Sequence, residues 1–357
     1  MKRIKSTTKS NFITYGVMLA LFILVYFLNN GGIISNNISG LLIPICAYIC
    51  MSISLNLTVG ILGELSLGHA GFMSVGAFSG VIAASALRNV TDNGMVQLIV
   101  AIIVGAVFAA LAGVIVGVPV LRLNGDYLAI VTLAFGEIIK NLLNNFYIGV
   151  DGSGLHFSMT DTASLHMDKG TIIVNGPMGA VGIPRVSTLL VGFILILICY
   201  AVTTNVTNSR TGRAIKAIRD NKIAVESVGI SVAKYKLMTF VTSAAMAGMA
   251  GALYALNYST ITPKKFDFNT SILVLVFVVL GGIGNVRGGM IAATVLVVLP
   301  ELLRAVKDYR MLMYAIVLIL VMIFTNNAKA RGFIVDPLKK LFGKLIPKKR
   351  KGDSAHV

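Results

Sequence analysis

The sequence predicts an all-α polytopic membrane protein, a helical bundle of about 8–10 transmembrane segments with a small β-containing loop on one side. Three observations predict it. Apolar residues fill 56% of the 357 positions and charged residues only 13%, whereas a soluble domain is about a quarter charged. Apolar surface on this scale must be buried in lipid as well as in a core. The apolar residues are gathered into runs long enough to span a bilayer. The basic residues are gathered between those runs, mostly on alternate sides, which is the pattern that orients membrane helices.

A hydrocarbon core about 30 Å thick takes roughly 17–25 residues of helix. Runs near 12–28, 38–58, 67–87, 95–118, 127–146, 186–204, 236–257, 269–282, 289–306 and 310–326 are the candidates. The first follows Lys2, Arg3, Lys5 and Lys9. It lacks a small-x-small cleavage site before Asn29, so it reads as an uncleaved span behind a cytoplasmic tail, 1–11. The third run is preceded by the glycine-rich stretch Gly63 to Gly76, and the short eighth run abuts Gly281 to Gly289. Each stretch has two readings. One is a broken or re-entrant helix, which points to a translocation path; the other is tight helix packing through glycine. The membrane domain then covers 12–326, and 327–357 is a basic cytoplasmic tail.

Parity of the runs places both termini in the cytoplasm. On that assignment most of the 31 Lys and Arg fall inside: the N-tail, Arg122, the cluster from Arg210 to Lys236, Arg287 and the C-tail from Lys329 to Lys351. The formal charge of +17 therefore serves orientation, and no nucleic-acid motif accompanies it. Cys46, Cys50 and Cys199 lie inside apolar runs and read as buried hydrophobes, not ligands or disulfide partners. No G-x-x-x-x-G-K-[ST] loop is present to cradle nucleotide phosphates, so no catalytic residue, metal or cofactor is expected.

Two loops are long enough to do more than connect. External segment 147–185 carries His156, His166, Asp151, Asp161 and Asp168 at spacings that match no standard ligand set. Its run Thr171 to Val174, ending at Asn175-Gly176, predicts a hairpin or strand pair, and the loop suits a lid or docking surface. Cytoplasmic segment 205–235 places Ala214, Ile215, Ala217, Ile218, Val225, Val228 and Ile230 at helical spacing, with Arg213, Lys216, Arg219 and Lys222 among them. Gly229 stands where a helix C-cap is expected. Spacing alone leaves two uses open: a short helix offered to a partner's groove, or a basic helix resting on anionic lipid.

The stretch Arg210-Thr-Gly212-Arg213-Ala214-Ile215-Lys-Ala217-Ile218-Arg219-Asp220-Asn221, followed by Ala224, Glu226 and Gly229, resembles the coupling segment of permeases in the branched-chain amino acid ABC transporter family. The stretch from Gly63-Glu64-Leu-Ser66-Leu-Gly68-His69-Ala-Gly71 to Gly76-Ala77 looks like that family's most recognisable motif, in particular in its LivM-type branch. Leu123 to Glu137 and Gly281-Gly282-Ile-Gly284 to Gly289 match in order. Ile148 to Leu155 departs from the Thr-Gly-Gly-rich motif the family usually carries there.

The resemblance implies an ABC importer permease fold and an importer of several parts: a second, LivH-type permease subunit, two cytoplasmic ATPase subunits and an extracytoplasmic substrate-binding protein. It further implies that ATP-driven closure of the ATPases displaces the helix around Arg213 to Glu226. Arg213, Lys216 and Arg219 would then meet acidic rims, and Ile215 and Ile218 would fill the groove floor. Glu64, Ser66, Gly68, His69, Gly71, Gly281, Gly282 and Gly284 would line or gate the path. The polar members have a plainer reading: Glu64 paired or solvated near the interface, His69 bonded to a backbone carbonyl. Glu137 and Lys140, at i,i+3, are expected to pair. Rival readings are a permease of the same superfamily for sugars or nucleosides, an ion-coupled secondary transporter, and an interaction scaffold.

Overall fold

The computed structural model describes residues 2–32, 35–88, 91–121, 126–151, 154–165 and 170–303, together with 315, 316 and 319. Contacts divide the chain into 1–298 and 299–357, and the architecture below is that of the first unit. The tenth predicted run and the C-tail lie almost wholly outside the described residues. Along the chain come α1 (Lys2–Asn30), α2 (Asn36–Leu55), α3 (His69–Arg88), α4 (Gly94–Val120) and α5 (Asp126–Asn144). A β segment follows, and then α6 (Leu189–Asn208), α7 (Arg210–Asp220), α8 (Lys222–Ser227), α9 (Val232–Ala255), α10 (Phe268–Gly281) and α11 (Val286–Leu302). Among the described residues seven helices are long and apolar enough to cross a bilayer, and α10 is a shorter apolar helix. This is the polytopic helical membrane protein that the composition predicts.

Helices α3, α4 and α9 form the core. They approach so closely that a methyl group at Gly76 would overlap the Gly248 backbone, and one at Gly248 would overlap Gly105 and Ala109. Lipid offers no hydrophobic drive for helix association, so dispersion at close range must supply it, and only glycine allows this distance. The stretch before α3 thus divides between close packing and a break in the helix. Gly76 serves packing, whereas Gly63 to Gly68 is non-helical and links the end of α2 to the start of α3. The first helix also differs from expectation: α1 begins at Lys2, taking in the segment read as a tail. No proline or glycine interrupts it before Gly16.

Segment 147–185 builds more β structure than a strand pair. Strands β1 (Tyr147–Asp151), β2 (Gly154–Ser158), β3 (Gly170–Asn175) and β4 (Ala180–Val181) are joined by β5 (Thr260–Ile261), which follows α9. The sheet order is β2-β1-β3-β4-β5, with every pairing antiparallel. It caps the end of the bundle where α5 and α9 finish and α6 begins. The long-range partner β5 is only two residues long, too short for any periodicity to announce it.

Replacing Gly248 by leucine should destabilise the bundle by about 1–3 kcal/mol or more through overpacking, read as a lower unfolding temperature in detergent. The same change at Gly40, which has open space around it, should leave that temperature unchanged.

Candidate functional site

The polar residues of the chain converge at the end of the bundle away from the sheet. There α2 widens into a π-helical turn, Asn56–Leu62, that Gly63 closes in the left-handed region at φ 81°. π-helical turns are rare and cluster at functional sites. Beyond it the chain runs extended through Glu64, Ser66 and Gly68 into the bundle. Gly68 lies against the Thr132 carbonyl, Gly71 lies against Gly136, and Leu67 N–H donates to Thr132 Oγ1 at 3.1 Å. Such backbone survives at membrane depth only when wrapped by protein, and α5 and α10 do the wrapping; Ser271 Oγ on α10 accepts from Ala70 N–H at 3.1 Å.

His69 opens α3 and is buried. Its Nε2 lies 2.6 Å from Ser54 Oγ. The Ser54 hydroxyl donates to the Ser243 carbonyl at 2.7 Å and the Ser243 hydroxyl donates to the Ser54 carbonyl at 2.6 Å. With both hydroxyl protons spent on carbonyls, His69 Nε2–H must be the donor to Ser54, which leaves Nδ1 a lone-pair acceptor. That atom and Ser66 Oγ have no hydrogen-bond partner among the described residues. The expected carbonyl partner of His69 is therefore a hydroxyl instead. Glu64 forms an ion pair with Lys236 on α9, their side chains 14% and 4% exposed. Charged groups inside a membrane bundle are expected to find each other in this way.

Gly281 ends α10 and packs against Gly288 and Gly289 of α11. Gly282 and Gly284 turn the chain at φ 90° and 82°, and Gly284 N–H donates to Asn56 Oδ1 at 3.0 Å. The two glycine-rich motifs, far apart in sequence, thus meet at one end of the bundle. At the opposite end of α10, Gly71, Gly136, Glu137, Asp267 and Ser271 line a recess of about 10 Å³, at the lower limit for one water molecule. Glu137 pairs with Lys140 as the spacing predicts. A larger cavity of about 500 Å³, lined by Val75, Phe78, Ile82, Phe108 and Leu142 among others, has Ser79 as its one hydroxyl-bearing side chain among the lining residues, and the Ser79 hydroxyl is already committed to the Val75 carbonyl. Burying an ammonium and a carboxylate there is prohibitive.

The basic segment forms two helices where one was expected. Ser209 Oγ caps α7 by accepting from Gly212 N–H at 3.1 Å. Asn221 takes an extended conformation and caps α8, its Oδ1 accepting from Ala224 N–H at 3.1 Å, because Asn competes for backbone donors and so favours helix starts. Gly229, at φ 78°, closes α8 in a Schellman turn: its N–H donates to the Glu226 carbonyl and Ile230 N–H to that of Val225. Gly212 fits under the carbonyls of Val206 and Thr207.

One expectation about this segment is corrected. Ile215 and Ile218 do not face outward to fill a groove; they are 0% and 4% exposed. Ile218 packs with Val225, Val232, Ala217, Ile230 and Tyr235 into a small core of the segment's own. The inward face is the apolar one because it has the bundle to bury against. The apolar side chains left outside are Ile223 and Val228, 79% and 71% exposed; Asp220, Ala224 and Glu226, near them in sequence, are exposed too, as are Arg210 and Arg213 on α7. Arg219 reaches back instead, its guanidinium donating to the Gly60 carbonyl at 2.7 Å and its stem lying on Gly63.

Sequence reasoning also passed over Ser54, Asn56, Lys236 and Ser243. A signal existed for the first two: Ser52, Ser54, Asn56 and Thr58 alternate within an apolar run, and intramembrane polar residues are functional candidates by default.

A family model described as branched-chain amino acid transport system, permease component, matches residues 37–325. The high-affinity branched-chain amino acid transport system permease protein LivM of Escherichia coli is 38% identical over 292 residues, taking in 78% of this chain and 66% of that protein. The LivH permease protein of the same organism is 27% identical over 70% of this chain and 79% of its own. The ribose import permease RbsC of E. coli is 25% identical over 87% of this chain and 92% of its own. The alignment with LivM thus spans just under two thirds of that relative's length. No solved structure matches the chain.

Alanine at Ile215 or Ile218 should cost about 2–5 kcal/mol and lower the amount of folded permease in the membrane. Alanine at Ile223 should change stability by no more than about 0.5 kcal/mol and leave that amount unaltered in a fluorescence-detected size-exclusion assay.

Proposed function

This chain belongs to the family of branched-chain amino acid transport permease components, and on that premise we propose that it is the LivM-type transmembrane subunit of an ATP-driven importer of leucine, isoleucine and valine. It works beside a LivH-type permease, two cytoplasmic ATPases and an extracytoplasmic binding protein. The termini and the α7–α8 segment face the cytoplasm, in keeping with the basic residues that crowd that end. The ATPases hydrolyse; this chain moves.

The observation that carries the proposal is the pair of exposed apolar side chains on α8 and its turn, Ile223 and Val228, held out from a segment whose other face is anchored on the bundle. A helix resting in lipid would present a broad apolar face, whereas this one presents two apolar side chains with exposed Asp220 and Glu226 close in sequence. Such a pair suits a protein groove: an apolar anchor in the middle and polar residues around it. Arg213 and Lys216, both exposed, meet the acidic rim. The path runs along the stretch Gly63 to Gly71 and the turn Gly281 to Gly284. Branched-chain cargo suits the weakly polar lining, because affinity resides in the binding protein. The identity to LivM, higher than that to the ribose permease, favours amino acid over sugar.

Ile223→Glu and Val228→Glu should each leave the permease in the membrane but cost about 2 kcal/mol or more in ATPase binding. The check is loss of ATPase co-purification together with loss of ¹⁴C-leucine uptake. Uptake that is competed by ribose and not by isoleucine or valine would reassign the cargo.

A further inference from the structure

Resting on that functional reading, we propose that Arg219 and Lys236 are positioning residues. They tie the α7–α8 segment to the re-entrant stretch Gly63–Gly68, so that displacement of the segment opens or closes the path by breaking the Lys236–Glu64 ion pair.

Arg219 is the last basic residue of α7 and, though exposed, it is also tied back to the bundle. Its guanidinium bonds the Gly60 carbonyl inside the π-helical turn, and its aliphatic stem covers Gly63, the hinge into the stretch. A carbonyl in a π-helical turn of this kind is a weak point of the backbone ladder, and Arg219 occupies it from another element. Any shift of α7 is therefore passed to the turn that sets where Glu64 lies.

Lys236 is moved from the other side. It stands in the second turn of α9, next to Tyr235, which packs on Ile218 and Val225. Helices α7 and α8 and the start of α9 thus share one small core and move as a body. The same displacement that pulls Arg219 also carries Lys236, and the two pull on opposite flanks of Glu64. A buried ion pair suits a latch: well formed it is neutral in cost, but half-separated it leaves two uncompensated charges, so it is made or broken and seldom lingers between. The Gly284 N–H to Asn56 bond extends the linkage to the α10–α11 turn, the other glycine-rich wall of the path. Above the latch the reciprocal Ser54–Ser243 bonds staple α2 to α9 and give the motion a fixed point.

The test is cargo moved per ATP hydrolysed in proteoliposomes holding the whole importer, with and without binding protein. Lys236→Gln and Glu64→Gln should each raise hydrolysis in the absence of binding protein and lower the ratio about tenfold, within the range for coupling between sites. The exchange variant Glu64→Lys/Lys236→Glu and the conservative Lys236→Arg should recover most of it. Arg219→Ala should lower the ratio similarly with the complex still assembled, and Arg219→Lys, which keeps one donor for Gly60, should recover part. Single variants that keep the wild-type ratio overturn the proposal, as does an exchange variant that assembles but stays uncoupled. Wild-type complex without ATP-driven uptake would sink the functional reading itself, whereas tight wild-type coupling with insensitive variants removes only these two links.

Discussion

Non-helical backbone cannot face hydrocarbon, and the architecture follows from that constraint acting on one stretch, Gly63 to Gly68. Its amide and carbonyl groups must be met by protein. Helix α5 therefore lies against Gly68 and Gly71, α10 offers Ser271 to the start of α3, and α9 brings a lysine to Glu64. Each of these contacts demands a small residue or a polar group at one position on another helix. The glycine-rich motifs and the scattered intramembrane serines are thus two sides of a single requirement.

The same constraint explains why polarity is unevenly distributed. The sheet end of the bundle is held by backbone ladders, and the large cavity nearby is mostly apolar. Toward the other end His69 Nδ1, Ser66 Oγ and Asn56 Nδ2 find no partner among the described residues. Unpaired buried polar atoms are costly, and a permease has a use for them, since a path that alternates between open and shut must exchange protein partners for water or cargo. A fully satisfied network would favour one state too strongly.

Segment α7–α8 shows how amphipathicity misleads when read without a surface to bury against. Its inward stripe, Ile215, Ile218 and Val225, is the stronger apolar signal because it forms a core. The outward pair, Ile223 and Val228, is weaker in pattern because two residues make no continuous helical stripe. A helical period identifies a face; it does not say whether the occupant is the protein's own bundle or another molecule.

What the amino-acid sequence determined by itself is whatever depends on local chemistry: the spanning helices through hydropathy and length, the Gly229 cap, the Glu137–Lys140 pair through helical spacing, and the strand ending at Asn175. Ordered motifs added the family. Only the tertiary structure decided which elements meet. The Glu64–Lys236 pair, the Arg219 bond to Gly60, the joining of β5 to the sheet and the contact of Gly60 with Gly284 each bridge long separations in the chain. No periodicity encodes such pairings, because they arise when helices pack at distances set by their smallest residues, and that is a property of surfaces in three dimensions.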